Sequence, residues 1–243
     1  MRRDCVLLGA APLVLTACGG TAHRVSYVVT GERVPSAGLT RALRKTAGVP
    51  SVHVTIARRI SFKSPFPVVS SNCTTTTHTT GDVDNVHHTA RFDQPAAPVV
   101  VSGTTYYEKN GRQWTETPGA ALLGRAFPLS SAGFGTFEPR FLKFVRPHRV
   151  TEIGSARIGG VPTTRYRTWI GGDKGVRQPV ELWTDHSGRL RQARFAQSPD
   201  IVVTVRLSGF GEHLHIVPPK TAVPSTNKMS VKLYGSGKGK ACK

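Results

Sequence analysis

Hydrophobic and polar residues alternate with period two over much of this chain. Val52, Val54 and Ile56 interleave with Ser51, His53 and Thr55, the pattern of a strand with one buried face. Immediately upstream, Leu39, Ala42, Leu43 and Ala47 recur at helical spacing with Arg41, Arg44 and Lys45 turned away. That spacing predicts an amphipathic helix of about three turns, with Ser36 as its cap and Gly48 at its end. Val86, His88, Ala90 and Phe92 alternate again. Val99 to Val101 and Thr104 to Glu108 read as strands leading into Lys109-Asn110-Gly111-Arg112, where Asn-Gly marks a hairpin and Trp114 lies on the returning arm. Between these runs, Asn72 to Thr80 is polar and threonine-rich, which predicts a loop or a solvated strand end.

The centre of the chain has a different texture. Ala120 to Phe127 is apolar and rich in small residues, and Phe134 to Val145 gathers Phe134, Phe137, Phe141, Leu142, Phe144 and Val145. Glu138-Pro139 suits the start of a helix, with the proline in its first turn. Apolar residues around so much of that helix require cover on more than one side, from core or from ligand.

From Val150 the pattern becomes a regular meander. Strands are expected at Val150 to Ile158, Val161 to Ile170, Val180 to Thr184, Leu190 to Gln197 and Ile201 to Phe210, with His213 to Val217 as a closing strand before Pro218-Pro219. Short consecutive connections demand antiparallel neighbours. The fold class is therefore α+β, one large antiparallel sheet with a few helices gathered on one side. Residues 36–219 form a single domain, residues 18–35 a tether, and residues 220–243 a flexible tail rich in Lys, Gly and Ser.

The first residues add a destination. Met1-Arg2-Arg3-Asp4 precedes an almost wholly apolar run from Val6 to Leu15, the build of a signal peptide covering residues 1–17. That run is about half the roughly 20 apolar residues that a bilayer span requires. Leu15-Thr16-Ala17-Cys18 resembles the bacterial lipobox, in which the cysteine becomes the acylated first residue of the mature protein. The expectation is an exported chain held on the outer face of the cell membrane by acyl groups on Cys18.

Charge and cysteine content refine the picture. The formal net charge is +19, and +18 without Arg2, Arg3 and Asp4. Such a balance calls for an acidic partner, which for an exported protein is an anionic membrane surface or cell-wall polymer. Export and the lack of any nucleic-acid module argue against DNA or RNA. With Cys5 removed and Cys18 acylated, Cys73 and Cys242 remain to pair in a disulfide; their polar, loop-like surroundings argue against the bridge.

The ordered set of these segments resembles the LppX/LprAFG lipoproteins of actinobacteria. Val180-Glu181-Leu182-Trp183-Thr184-Asp185-His186-Ser187-Gly188-Arg189-Leu190, preceded by Gly159-Gly160-Val161-Pro162-Thr163-Thr164-Arg165-Tyr166 and followed by Val202 to Gly211 and Pro218-Pro219, looks like their second half. The amino-terminal helix with Val52-His53-Val54, and the hairpin from Tyr106-Tyr107 to Trp114, fall in matching order, so the likeness covers about residues 36–219. It implies a LolA-like half-barrel, a curved antiparallel sheet with helices packed on its concave side around an apolar cavity. It implies carriage of a lipid, a glycolipid or a lipoprotein's acyl chains. The threonine-rich insert around Cys73, the positive charge and the basic tail depart from that pattern and leave the ligand open.

For such a carrier the candidate cavity lining is Val54, Ile56, Phe92, Tyr106, Phe137, Phe141, Phe144, Tyr166, Val180, Leu182, Val203 and Val205, residues that suit a solid core equally well. Arg165, Arg167, Arg191 and Arg194 either meet anionic head groups at a cavity mouth or form a solvated strand face. No catalytic set is present: carboxylates are scarce, and Asp185-His186-Ser187, as sequence neighbours between two strands, cannot aim as a triad does. The pairs His87-His88 and His213/His215 fall short of a metal site, so no metal and no cofactor are expected. The expected function is a lipid or acyl-chain carrier, not an enzyme. The alternative is a structural or sensory surface lipoprotein that adheres through its basic face.

Overall fold

The computed structural model describes residues 31–62, 73–118, 136–170 and 178–225. Its frame is a single sheet of 13 strands, curved and unclosed, with one α-helix and one 3-10 helix among the described residues. In chain order these are β1 (Glu32–Arg33), α1 (Ser36–Ala47), β2 (Ser51–Phe62), β3 (Cys73–Asp84), β4 (Thr89–Asp93), β5 (Pro98–Ser102), β6 (Thr105–Asn110) and β7 (Gln113–Thr117). The 3-10 helix Pro139–Phe144 follows, then β8 (Pro147–Ile158), β9 (Val161–Ile170), β10 (Gln178–Asp185), β11 (Leu190–Ser198), β12 (Ile201–Ser208) and β13 (Val223–Pro224).

The sheet order is β1-β8-β9-β10-β11-β12-β2-β3-β4-β5-β6-β7-β13. Two meanders, β2 to β7 and β8 to β12, are thus joined edge to edge by the pairing of β12 with β2, from Ile201↔Ile60 to Ser208↔His53. The two edges are then covered by short strands from either end of the described chain. β1 lies against β8, and β13 runs parallel to β7, the single departure from antiparallel pairing. Covering an edge satisfies backbone groups that would otherwise template pairing with another chain.

Alternation places one set of side chains on the concave face. Val52, Val54 and Ile56 of β2, Val203, Val205 and Leu207 of β12, Ala193 and Phe195 of β11, Val180 and Leu182 of β10, and Phe92, Val99 and Val101 of β4 and β5 form one buried cluster. Each fully buried side chain of this size contributes about 1.5–3 kcal/mol.

Helix α1 lies on this face, burying Leu39, Ala42, Leu43 and Thr46. Gly48 N–H closes it onto Arg44 O at 3.1 Å, and Arg44 and Lys45 complement its carboxyl end. Thr46 fixes the helix to the sheet: its hydroxyl donates to Ala42 O at 2.8 Å and accepts from Leu190 N at 2.8 Å. Among the described residues no helix is long and apolar enough to cross a membrane.

Several expectations change. Pro35, not Ser36, occupies the cap position, and no side chain caps the helix. Of the two readings of Asn72 to Thr80, a loop or a solvated strand end, the strand holds: Cys73 to Thr80 are eight of the twelve residues of β3, paired throughout with β2, since β-branched threonine suits a pleated strand. Val86 and His88 lie in the turn before β4, with His88 at φ 56°. Asn110 pairs with Gln113, so Gly111-Arg112 forms the two-residue turn, with Gly111 at φ 60°. The central aromatic run makes only the six-residue 3-10 helix Pro139–Phe144, with Pro139 in its first turn as expected. His213 to Val217 has no regular structure. Ala120 to Phe127, Phe134 and the signal peptide lie outside the described residues.

Candidate ligand-binding face

Eight of the candidate lining residues, Val54, Ile56, Phe92, Phe137, Val180, Leu182, Val203 and Val205, meet in the concave cluster, none more than 2 % exposed. The sheet register explains the meeting. Ile56 faces Val205 across β2–β12, Val203 faces Phe195 across β12–β11, and Phe195 faces Val180 across β11–β10, a continuous apolar row. Tyr106 and Tyr166 are half-buried against the same cluster. Phe141 is buried on the 3-10 helix, where it stacks on Phe144 with centroids 6.4 Å apart, and Phe144 is 40 % exposed.

The 3-10 helix is fastened by a charged latch. Arg140 Nη2 contacts Glu138 Oε2 at 2.5 Å and donates to Gly103 O at 3.1 Å, which ties the segment to the β5–β6 turn. Glu138 is buried, and burial pushes its carboxyl up to about 7 against the opposing pull of Arg140.

The arginines proposed for a cavity mouth stand elsewhere. Arg165 and Arg167 alternate with Tyr166, so they occupy the convex face, where each donates to Glu181 at 2.8 Å; Arg194 lies 3.9 Å from the same carboxylate. Burial alone would raise Glu181, but the hydrogen bonds and charges of Arg167 and Arg165 hold it below the usual carboxylate range. Arg165 also stacks 5.2 Å from the Trp183 ring, and Arg206 donates to Gln192 at 2.9 Å. Arg59 belongs to this convex surface by the same alternation. Around Glu181 three arginines share one carboxylate, so this part of the convex face is basic; Asp82, beside His53, and Asp93, beside Arg91, lie on the same face over β3 and β4.

Asp185, His186 and Ser187 build a turn. Asp185 accepts from Ser187 Oγ at 2.6 Å, Arg189 N at 2.9 Å and Arg191 Nε at 2.6 Å. Burial would push this carboxyl up; those donors outweigh burial and hold it low. His87 contacts Asp84 at 2.7 Å, His213 and His215 are exposed, and among the described residues no three metal-ligating side chains gather. Cys73 opens β3 opposite Phe62, while Cys18 and Cys242 lie outside the described residues.

One residue on the concave face was missed. Extending the alternation Val52, Val54, Ile56 by two positions puts Arg58 on the inside, between Val203 of β12 and Thr77 of β3. Burial holds its guanidinium pKa below that of a solvated arginine. The signal was present in the period-two pattern, but the strand was read only as far as Ile56, where the apolar alternation ends.

No family model and no curated protein sequence matches this chain. Solved structures do resemble it. The lipoprotein LppX of Mycobacterium tuberculosis superposes with a TM-score of 0.52 at 18% identity, covering 74% of this chain and 97% of that one. LprF of Mycobacterium bovis gives a TM-score of 0.52 at 18% identity, covering 78% of this chain and 99% of that one. The likeness spans almost the whole of both structures and establishes the fold as that of LppX and LprF, the curved half-barrel with helices on its concave side.

Proposed function

We propose that this protein is an exported lipoprotein, anchored through acylated Cys18 on the extracytoplasmic face of the cell membrane, that binds or carries acyl chains of lipid or glycolipid on its concave face. One observation carries the reading: a continuous apolar row crosses adjoining strands from Val180 to Ile56 on the inner side of an unclosed sheet. Each CH₂ of an acyl chain removed from water there gains about 0.8 kcal/mol, so one long chain supplies useful affinity without further chemistry. The LppX/LprF-like fold supports the same reading, and the role is carriage without a catalytic step.

The test is extraction and mass spectrometry of small molecules that stay with the full chain through purification from its membrane. Stoichiometric acyl lipid supports the proposal; a chain that is folded and empty contradicts it.

The convex arginines favour a second reading, adhesion to anionic lipid or cell-wall polymer. Exposed charges are screened within about 8 Å at physiological salt. Adhesion through Arg59, Arg165, Arg167, Arg194 and Arg206 should therefore disappear at high salt, while acyl-chain binding on the apolar face persists.

A further inference from the structure

We infer that the outward side of α1 and the 3-10 helix, carrying Arg41, Arg44, Lys45, Lys143 and Arg146, is the surface by which the chain docks on an anionic lipid bilayer. The inference rests on the acyl-anchor part of the reading above and adds which side of the molecule meets the membrane. α1 and the 3-10 helix touch each other on the concave side. Both bury apolar residues, Leu39 and Leu43 from one and Leu142 from the other, in the same cluster. The opposite side of each therefore turns away from the sheet. On α1 that side holds Arg41, Arg44 and Lys45, all exposed and neighbours on the helix surface. On and just after the 3-10 helix it holds the exposed Lys143 and Arg146.

What sets this surface apart is the lack of opposing charge. Neither helix contains Asp or Glu, and among the described residues none of the five cations is in an ion pair. Glu138, just before the 3-10 helix, is buried against Arg140, and Glu32 lies on the edge strand β1 next to Arg33. The contacts that the cations do make leave their charge intact. Lys45 Nζ donates to Ser187 O at 2.6 Å, Arg146 donates to Lys143 O at 3.0 Å, and Lys143 Nζ lies 5.2 Å from the Phe144 ring. A membrane's diffuse potential acts on that charge and requires no vacant N–H. Elsewhere the charges interleave: Glu181, Asp82 and Asp93 sit among the convex cations, and β6 and β7 carry Glu108 and Glu116 alongside Lys109.

The shape of the surface and the place of the anchor favour a bilayer over a protein partner. The exposed residues of α1 are Ser36, Ala37, Gly38, Arg41, Arg44 and Lys45, with no large apolar side chain to serve as the anchor of a protein interface. Residues 19–30 separate Cys18 from Gly31, so an acyl anchor on Cys18 lies within about 45 Å of β1 and the adjoining start of α1. α1 itself is about 18 Å long, and its whole outward side is within reach of the bilayer. Docked in this way, the concave side is turned toward the lipid that supplies acyl chains. The convex arginines then face away from the membrane.

The test is amine footprinting of the acylated full chain reconstituted in vesicles, with a water-soluble acylating reagent and mass spectrometry of the modified lysines. One set of vesicles is phosphatidylcholine alone, and the other is mixed with phosphatidylglycerol. Each cation at an anionic surface favours contact by about fivefold, so labelling of Lys45 and Lys143 should fall at least about fivefold in the anionic vesicles. High salt should restore it, and Lys109 on β6 should label equally in both. Arg41→Gln combined with Arg44→Gln should return much of the Lys143 labelling, with an unchanged unfolding midpoint to show that the variant is folded. Arg59→Gln combined with Arg194→Gln, on the convex face, should not. Equal labelling of Lys45 and Lys143 in the two vesicles overturns the docking surface and leaves the anchor reading standing. Protection that survives the Arg41 and Arg44 substitutions, or that falls on Lys109 instead, overturns it as well. Polyphosphate that protects the same lysines equally in phosphatidylcholine vesicles overturns it too, by making the surface one for soluble polyanions. A chain that leaves phosphatidylcholine vesicles in high salt removes the anchor reading itself.

Discussion

Gly81 and Phe92 face one another across the β3–β4 pair, and the Phe92 ring occupies the space where any other residue at position 81 would carry its Cβ. A Cβ built on Gly81 would fall on that ring and 2.5 Å from Arg91 O. Phe92 is completely buried by this arrangement. Gly81→Ala is therefore expected to destabilise the fold by about 1–3 kcal/mol, the ordinary cost of overpacking. Adding Phe92→Leu should return part of that loss, and the midpoints of denaturant unfolding for the two single variants and the double variant measure the coupling.

Thr46 joins α1 to the sheet through one hydroxyl that donates to Ala42 O and accepts from Leu190 N. Thr46→Val keeps the shape but leaves the Leu190 N–H buried without an acceptor, an expected cost of about 1–3 kcal/mol. Thr46→Ser keeps the hydroxyl and should lose less. Thermal unfolding of the two variants separates the hydrogen bond from the lost methyl group.

Glu138, at the start of the 3-10 helix, gives the fold a pH dependence. Its carboxyl is raised by burial from an ordinary 4.5 to about 7 in the folded protein. Between those values the folded state retains a proton that the unfolded chain releases, so stability should fall as pH rises through this window and level off above it. The full effect amounts to roughly 3 kcal/mol. Glu138→Gln should flatten the slope, as read from unfolding midpoints across the window. Glu181 and Asp185, both held low, act in the opposite sense: their contribution is present at neutral pH and is lost in acid as each is protonated.

Glu181 holds together three arginines that would otherwise repel one another. Glu181→Gln removes the charge that Arg165, Arg167 and Arg194 share, and is expected to cost about 1 kcal/mol after allowance for solvent screening of these half-exposed groups. The loss should shrink in high salt as the arginines are screened from one another. Unfolding in low and high salt checks both statements.

The strands were the legible part of this fold. The concave positions of β2 follow directly from alternation, because Val52, Val54 and Ile56 are buried while His53, Thr55 and Ala57 are only half-buried, and β9 has the expected bounds, Val161–Ile170. α1 was equally plain, since Leu39, Ala42 and Leu43 mark its buried stripe. The failures have physical causes. Threonines 74 to 77 left loop and strand end undecided because their polarity competed with their β-branching, and the aromatic run before β8 mimicked a longer helix although Pro139 and the adjoining β8 left room for six residues of 3-10 helix. The pairing of β12 with β2 joins segments far apart in sequence, which local periodicity does not encode. At the site, the apolar lining could be read one residue at a time. The position of Arg58 needed the strand carried two residues further than its apolar run.

The most direct test of the central claim is to locate where an acyl chain touches the protein. After photolabelling of the full chain with a diazirine fatty acid, peptide sequencing by mass spectrometry should place the adducts on the half-buried residues packed against the concave cluster, such as Tyr106, Tyr166 and Ile201. Adducts confined to the convex positions that alternate with them, such as Tyr107, Arg165 and Val202, or labelling that never saturates, would contradict it.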